Sequence, residues 1–189
     1  MKRNKRFLAA SVLAVLFPLT TQAETVNVDF TATVLGTTCN MTIAALDGSS
    51  VSGDATNGYR LTVGDVGLDK IVKKSAESQK NFKFVSSDCA GSMTNITTTL
   101  ATSASASGNF IKNESLETGA ATNIGMGFKR KSTSGETYMT PGASSTLTWS
   151  PEERTNNALE MTVALRELTD GAGTTGAFSS KATFTFTYQ

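Results

Sequence analysis

Ala182-Thr183-Phe184-Thr185-Phe186-Thr187-Tyr188-Gln189 is the stretch on which the fold of this sequence turns. Ala182, Phe184, Phe186 and Tyr188 alternate with three threonines. A strict period of two places the four apolar side chains on one face of an extended strand and the threonines on the other. Threonine is β-branched and polar, so it suits a strand whose outer face meets water.

Outward from this segment the same period recurs. Met161, Val163 and Leu165 share one face within Leu159 to Leu168, where helical propensity competes with the alternation, and the alternation predicts a strand. Phe82 and Phe84 flank Lys83 just before Cys89. Ile96 to Leu100, Ile124 to Phe128, Tyr138 to Thr140 and Thr146 to Trp149 read as further strands. Near the other end, Val26, Val28, Phe30, Ala32 and Val34 alternate with Asn27, Asp29, Thr31 and Thr33. Small-residue stretches at Ala101 to Asn109 and Asp170 to Gly176 read as loops. No internal repeat and no Pro-rich linker divides the chain. Short strands parted by Gly, Ser, Asn and Asp predict an all-β antiparallel sandwich.

Composition agrees and removes whole classes of function. Thirty Thr and 20 Ser stand among 189 residues, beside 3 Pro and 1 Trp. There is no histidine, which rules out a Ser-His-Asp triad, a Cys-His pair and His-ligated zinc. Lys2, Arg3, Lys5 and Arg6 precede an apolar run from Phe7 to Leu19, and Thr21-Gln22-Ala23 supplies a small-x-Ala site. This is the grammar of a secretory signal, expected to span residues 1–23. The run is too short to span a bilayer and contains Pro18. Without it the chain has 13 basic and 16 acidic residues, a net charge of −3, which gives no basic face for nucleic acid. No second stretch is apolar enough to cross a membrane. Cys39 and Cys89 remain in an exported chain, where an oxidising compartment favours a structural disulfide over a reactive pair lacking CxxC spacing.

Several patterns carry no chemistry. Asn40-Met41-Thr42, Asn95-Ile96-Thr97 and Asn113-Glu114-Ser115 are sequons that arise easily in a Thr/Ser-rich chain. Lys129-Arg130-Lys131 and Lys73-Lys74 read as solvated charges. Glu152-Glu153 after Pro151 reads as a turn, because neighbouring strand residues face opposite ways. Gly125-Met126-Gly127 lacks the further glycines and the helix of a phosphate loop.

The N-terminal alternating strand has two readings. It pairs within its own domain, as periodicity alone favours, or it leaves and adds to the open sheet edge of a neighbour. The segments Val34 to Asn40, Leu61-Thr62-Val63-Gly64-Asp65-Val66, Phe82 to Cys89, Ala121-Thr122-Asn123-Ile124-Gly125 and Phe184 to Gln189 bear on the choice. Together they resemble a chaperone–usher fimbrial subunit of the type 1 pilin family, and they run through nearly the whole mature chain.

The resemblance implies an incomplete immunoglobulin-like sandwich, completed by a donor strand from a periplasmic chaperone and then from the next subunit. Residues 24–38 would be the donor extension, with Val26, Val28, Phe30, Ala32 and Val34 inserting; residues 39–189 would be the pilin domain. The groove strand would be Ala182, Phe184, Phe186 and Tyr188, with the Gln189 carboxylate docking on the chaperone. Ala32 stands where the family usually has glycine. The implied protein is a non-enzymatic subunit, minor or adaptor-like, without cofactors. Its partners would be chaperone, outer-membrane usher and neighbouring subunits, in a surface fimbrium that contributes to adhesion. A single-domain adhesin that recognises a host glycan or receptor is the rival reading.

Overall fold

The computed structural model describes residues 39–89, 94–142 and 145–189. In chain order the strands are β1 (Asn40–Ala45), β2 (Ser50–Asp54), β3 (Gly58–Thr62), β4 (Gln79–Ser87), β5 (Ile96–Ala101) and β6 (Ala106–Ser107). They continue with β7 (Phe110–Lys112), β8 (Ile124–Arg130), β9 (Thr146–Thr148), β10 (Ala158–Glu167) and β11 (Thr183–Tyr188). Two short helices, α1 (Leu68–Val72) and α2 (Pro151–Thr155), and a 3₁₀ turn at Ala76–Ser78 join them. One sheet runs β1-β4-β10-β8-β7-β6, a second runs β11-β5-β9, and β2 and β3 form a separate hairpin. Every pairing among them is antiparallel.

The alternation read from the sequence becomes a core between the two sheets. Leu159, Met161 and Val163 of β10 face inward, and Phe84, Phe82 and Phe128 are their cross-strand neighbours on β4 and β8. From the second sheet come Ile96, Thr98 and Leu100 of β5, all fully buried. Burial of each of these large apolar side chains stabilises the fold by about 1.5–3 kcal/mol. Thr98 is a polar group in that core, and the Trp149 indole N–H donates to its Oγ1 at 2.9 Å. The Cys39–Cys89 disulfide ties the start of β1 to the segment after β4. Closing a loop of about 50 residues contributes roughly 4 kcal/mol on the chain-entropy account.

The outer face of β10 is also covered, which the sequence did not suggest. Gly125 and Gly127 sit opposite Arg166 and Ala164 in the ladder and leave room for Phe110 and Tyr138. A Cβ on Gly127 would lie 2.7 Å from the Phe110 ring and 3.0 Å from that of Tyr138. The Gly-Met-Gly motif is therefore a floor for an aromatic pair. Arg166, 2 % exposed, reaches under this cover. Its Nε and Nη2 donate to the Glu136 carboxylate and its Nη1 to Ser78 Oγ and the Leu165 carbonyl. Tyr138 donates to the same carboxylate at 3.0 Å.

Three expectations are corrected here. Tyr138 to Thr140 is not a strand: the segment crosses between sheets, with Tyr138 on the outer face and Met139 packed in the core, its N–H bonded to Phe128 C=O. Lys129 is 8 % exposed and donates to the Gly135 carbonyl, and Arg130 pairs with Glu153, so this basic run is not simply solvated. Glu152 and Glu153 lie in α2, not a turn. Ser150 accepts from the Glu153 N–H while the Glu153 carboxylate accepts from the Ser150 N–H, a capping box with Pro151 at the first turn.

Candidate functional site: an apolar groove beside the last strand

β11 lies at one edge of the second sheet. It pairs with β5 from Thr183 opposite Ala101 to Tyr188 opposite Ile96, and among the described residues no strand lies on its other side. In an antiparallel ladder alternate residues of such an edge turn their N–H and C=O groups outward. Its side chains follow the predicted alternation: Thr183, Thr185 and Thr187 are exposed, while Ala182, Phe184, Phe186 and Tyr188 face the core.

That inward face is only half-buried. A groove of about 500 Å³ runs along it, bounded on the far side by Met41 and Ile43 of β1 and by Tyr59 and Leu61 of the β2–β3 hairpin. Its floor is aromatic. Phe184 meets Phe84 at 4.8 Å and Phe128 at 5.0 Å between ring centroids, and Phe186 meets Phe84 at 5.0 Å, all edge-on. Among the described residues no charged side chain lines the groove. Its chemistry therefore selects an apolar occupant, and the free strand edge selects an extended one that can complete the ladder.

The end of the groove strand is fixed. One carboxylate oxygen of Gln189 accepts from the N–H groups of Thr94 and Asn95 at 2.6 and 2.9 Å, and the Gln189 N–H donates to Asn95 C=O at 3.1 Å. Tyr188 donates its hydroxyl to the Cys39 carbonyl at 3.4 Å, and burial raises the pKa of that hydroxyl. The disulfide thus sits at the C-terminal end of β11. At the N-terminal end, the Lys181 carbonyl accepts from the Thr102 hydroxyl.

The structure brings Cys39 to Cys89 and sets Ala182, Phe184 and Phe186 along one wall, with Tyr188 past its end beside Cys39. The expected donor residues Val26, Val28, Phe30, Ala32 and Val34 lie outside the described residues. Sequence reading missed the opposite wall. Met41-Thr42-Ile43 and Tyr59-Arg60-Leu61-Thr62-Val63 both alternate at period two, and that signal could have found it.

Two antiparallel sheets packed face to face, with an open edge strand above an apolar groove, define a pilin-type immunoglobulin-like domain. The chain belongs to the fimbrial protein family: the profile described as "Fimbrial protein" matches residues 28–189. It is similar to the uncharacterized fimbrial-like protein YadM of Escherichia coli (strain K12), at 42% identity over 181 residues covering 94% of each chain. Among solved structures it is similar in fold to the P pilus rod subunit PapA, with a TM-score of 0.54 at 14% identity, over 86% of this chain and 99% of that one. Membership makes the chain a structural protein of a surface fimbrium, exported through the periplasm and not an enzyme, with other fimbrial subunits as its neighbours.

Proposed function

We propose that this fimbrial subunit polymerises by donor-strand exchange, accepting an extended segment of the next subunit in the groove beside β11 and donating its own residues 24–38. The open outer edge of β11 above the half-buried Phe184 and Phe186 carries the proposal. Strand addition of this kind is the mode already known for chaperone–pilin pairs.

The chemistry of the two parts agrees. Val26, Val28, Phe30, Ala32 and Val34 offer one apolar face to an uncharged groove, and each large side chain inserted contributes on the order of 1.5–3 kcal/mol. Ladder hydrogen bonds satisfy backbone groups that cost about 1–3 kcal/mol each when buried unpaired. Ala32, in place of a usual glycine, fills the shallowest part of the groove. Left empty, the groove is an aggregation hazard, so a periplasmic chaperone holds the same edge, with the Gln189 carboxylate against its basic residues, until the outer-membrane usher passes the subunit on. Residues 1–23 act as the export signal, and the finished fibre, in which this is a minor or adaptor subunit, contributes to adhesion.

The test is peptide capture by a chain lacking residues 1–38. A synthetic peptide of residues 24–38 should form a one-to-one complex and raise its melting temperature, and Phe186→Asp should weaken capture at least tenfold. A truncated chain equally stable without peptide, or equal capture by Phe186→Asp, would refute the proposal.

A further inference from the structure

The second sheet ends in two edge strands, and they are finished differently. Among the described residues neither β11 nor β9 has a strand on its outer side. Gln189 and Asn95 bond to each other both ways, so Phe184 and Phe186 of β11 turn their backbone groups away from β5. Among the described residues no side chain caps those groups. On β9 the Trp149 N–H donates to Ile96 C=O, so Leu147 is the next residue to face β5, and Thr146 and Thr148 turn outward. Here the edge is taken. Arg130 Nη2 donates to the Thr148 carbonyl at 2.7 Å.

The helix that follows β9 holds this cation in place. The Glu153 carboxylate accepts from the same Nη2 at 3.1 Å, lies 2.8 Å from Nε, and also accepts from the Ser150 N–H. Arg154 Nη1 donates to the next carbonyl, that of Trp149, at 2.7 Å. The capping box thus sets α2 where it braces Arg130 against the edge. Beside β9 the space narrows to a cleft of about 280 Å³ lined by Arg130, Thr133, Thr137 and Ser145, polar where the groove at β11 is uncharged. A strand laid along β9 would pull Arg130 off Thr148 and cover its guanidinium with apolar side chains. The few ladder bonds of a three-residue strand do not offset that desolvation.

We propose that Arg130 restricts strand addition to β11, closing the β9 edge of the same sheet to the 24–38 segment of other subunits. The proposal rests on the donor-strand reading, since it explains how a subunit with two free edges in one sheet grows from one of them. In a fibre whose grooves are filled, β9 is the edge of this sheet still facing water, and every unpaired extension is a strand that fits a bare edge. Closing it keeps the fibre unbranched.

The test adds to assembled fibres of the full chain a 24–38 peptide carrying the photo-crosslinker p-benzoylphenylalanine in place of Phe30. Arg130→Met should raise adducts on Thr137–Met139 and Thr146–Thr148 at least tenfold over unaltered fibres. Arg130→Lys keeps a cation beside the Thr148 carbonyl and should stay within threefold of them. Thr146→Pro added to Arg130→Met should cut the adducts at least fivefold, because the first residue of an edge strand tolerates proline and the ring removes an outward N–H. A merely loosened domain would gain nothing from that proline. Equal labelling of Arg130→Met and unaltered fibres, labelling of Arg130→Lys as strong as Arg130→Met, or adducts that persist with Thr146→Pro overturns the proposal. If Arg130→Met does not assemble, Glu153→Gln, which gives up the ion pair but keeps an acceptor for Ser150, should raise the adducts at least threefold, and no rise overturns the proposal. Strong labelling along β11 in unaltered fibres overturns the donor-strand reading instead, since those grooves are then unfilled.

Discussion

Removing the two partners of the Arg166–Glu136 pair one at a time should have unequal effects, because burial differs on its two sides. The Arg166 side chain is 2 % exposed and that of Glu136 38 %. Glu136→Ala strands a guanidinium whose remaining hydrogen-bond partners are the Ser78 hydroxyl and the Leu165 carbonyl, with the Tyr138 ring beneath it. An uncompensated buried charge costs about 3–5 kcal/mol, and the partial hydration of this site brings the figure to about 3. Arg166→Met leaves a carboxylate that can turn to water, while Ser78 keeps its bond to the Ser75 carbonyl; the cost is about 1 kcal/mol. For a domain of this size those figures are falls in melting temperature of roughly 6–12 °C and 2–4 °C.

The double variant Glu136→Ala/Arg166→Met should be more stable than Glu136→Ala alone, since the second change removes the stranded charge. Circular dichroism melts of subunits saturated with the 24–38 peptide would measure all three. Equal losses from the two single changes, or a double variant no better than Glu136→Ala, would refute this account. The pair also carries a pH signature. Burial raises the Glu136 pKa, but the hydrogen bonds from Arg166 and Tyr138, with the charges of Arg166 and Lys129, outweigh that and hold it below the usual carboxylate range. A depressed folded pKa means the contribution is complete above the unfolded value and disappears as pH falls through the folded one. Glu136→Gln should remove that acid-side loss.

Trp149→Phe leaves the fully buried Thr98 hydroxyl without its donor, costing about 1–3 kcal/mol, and Thr98→Val leaves the indole N–H unpaired. Urea midpoints of both singles and the double should show a coupling of at least about 1 kcal/mol. Gly127→Ala drives a methyl into Phe110 and Tyr138 and should cost about 1–3 kcal/mol with a changed near-ultraviolet spectrum, partly restored by Phe110→Leu. Cys39→Ser should lower the stability of the peptide-filled subunit by about 4 kcal/mol in urea titrations.

Strands were legible where one face is buried and the other wet, since burial then writes a period of two. β11 and the Phe82–Phe84 part of β4 show it plainly, and even the ambiguous Leu159–Leu168 segment proved to be β10. Arg166 and Lys129 were opaque for the converse reason. On a strand they look like solvent-facing positions, and the cover over them comes from Phe110, Glu136 and Tyr138, which lie outside the strands that carry them. The Tyr138–Thr140 segment misled because Tyr138 and Met139, although adjacent, are buried in different places. In the groove, the aromatic wall was readable from residues 182–189. The β1 and hairpin wall was fainter, because its strands are short and half-exposed, although Met41 and Ile43, and Tyr59, Leu61 and Val63, carry the same period. The helix at Pro151 was there to be read in Ser150-Pro151-Glu152-Glu153, a start signal taken as a turn.

The pairing of β5 with β11 joins Thr97 to Thr187, ninety positions apart along the chain. During vectorial export β5 must therefore wait through most of the domain's passage before its partner emerges. Such a long loop closure makes docking of the second sheet a slow, late event. Anything that shields Ile96 and Leu100 in that interval governs how much of the exported polypeptide matures.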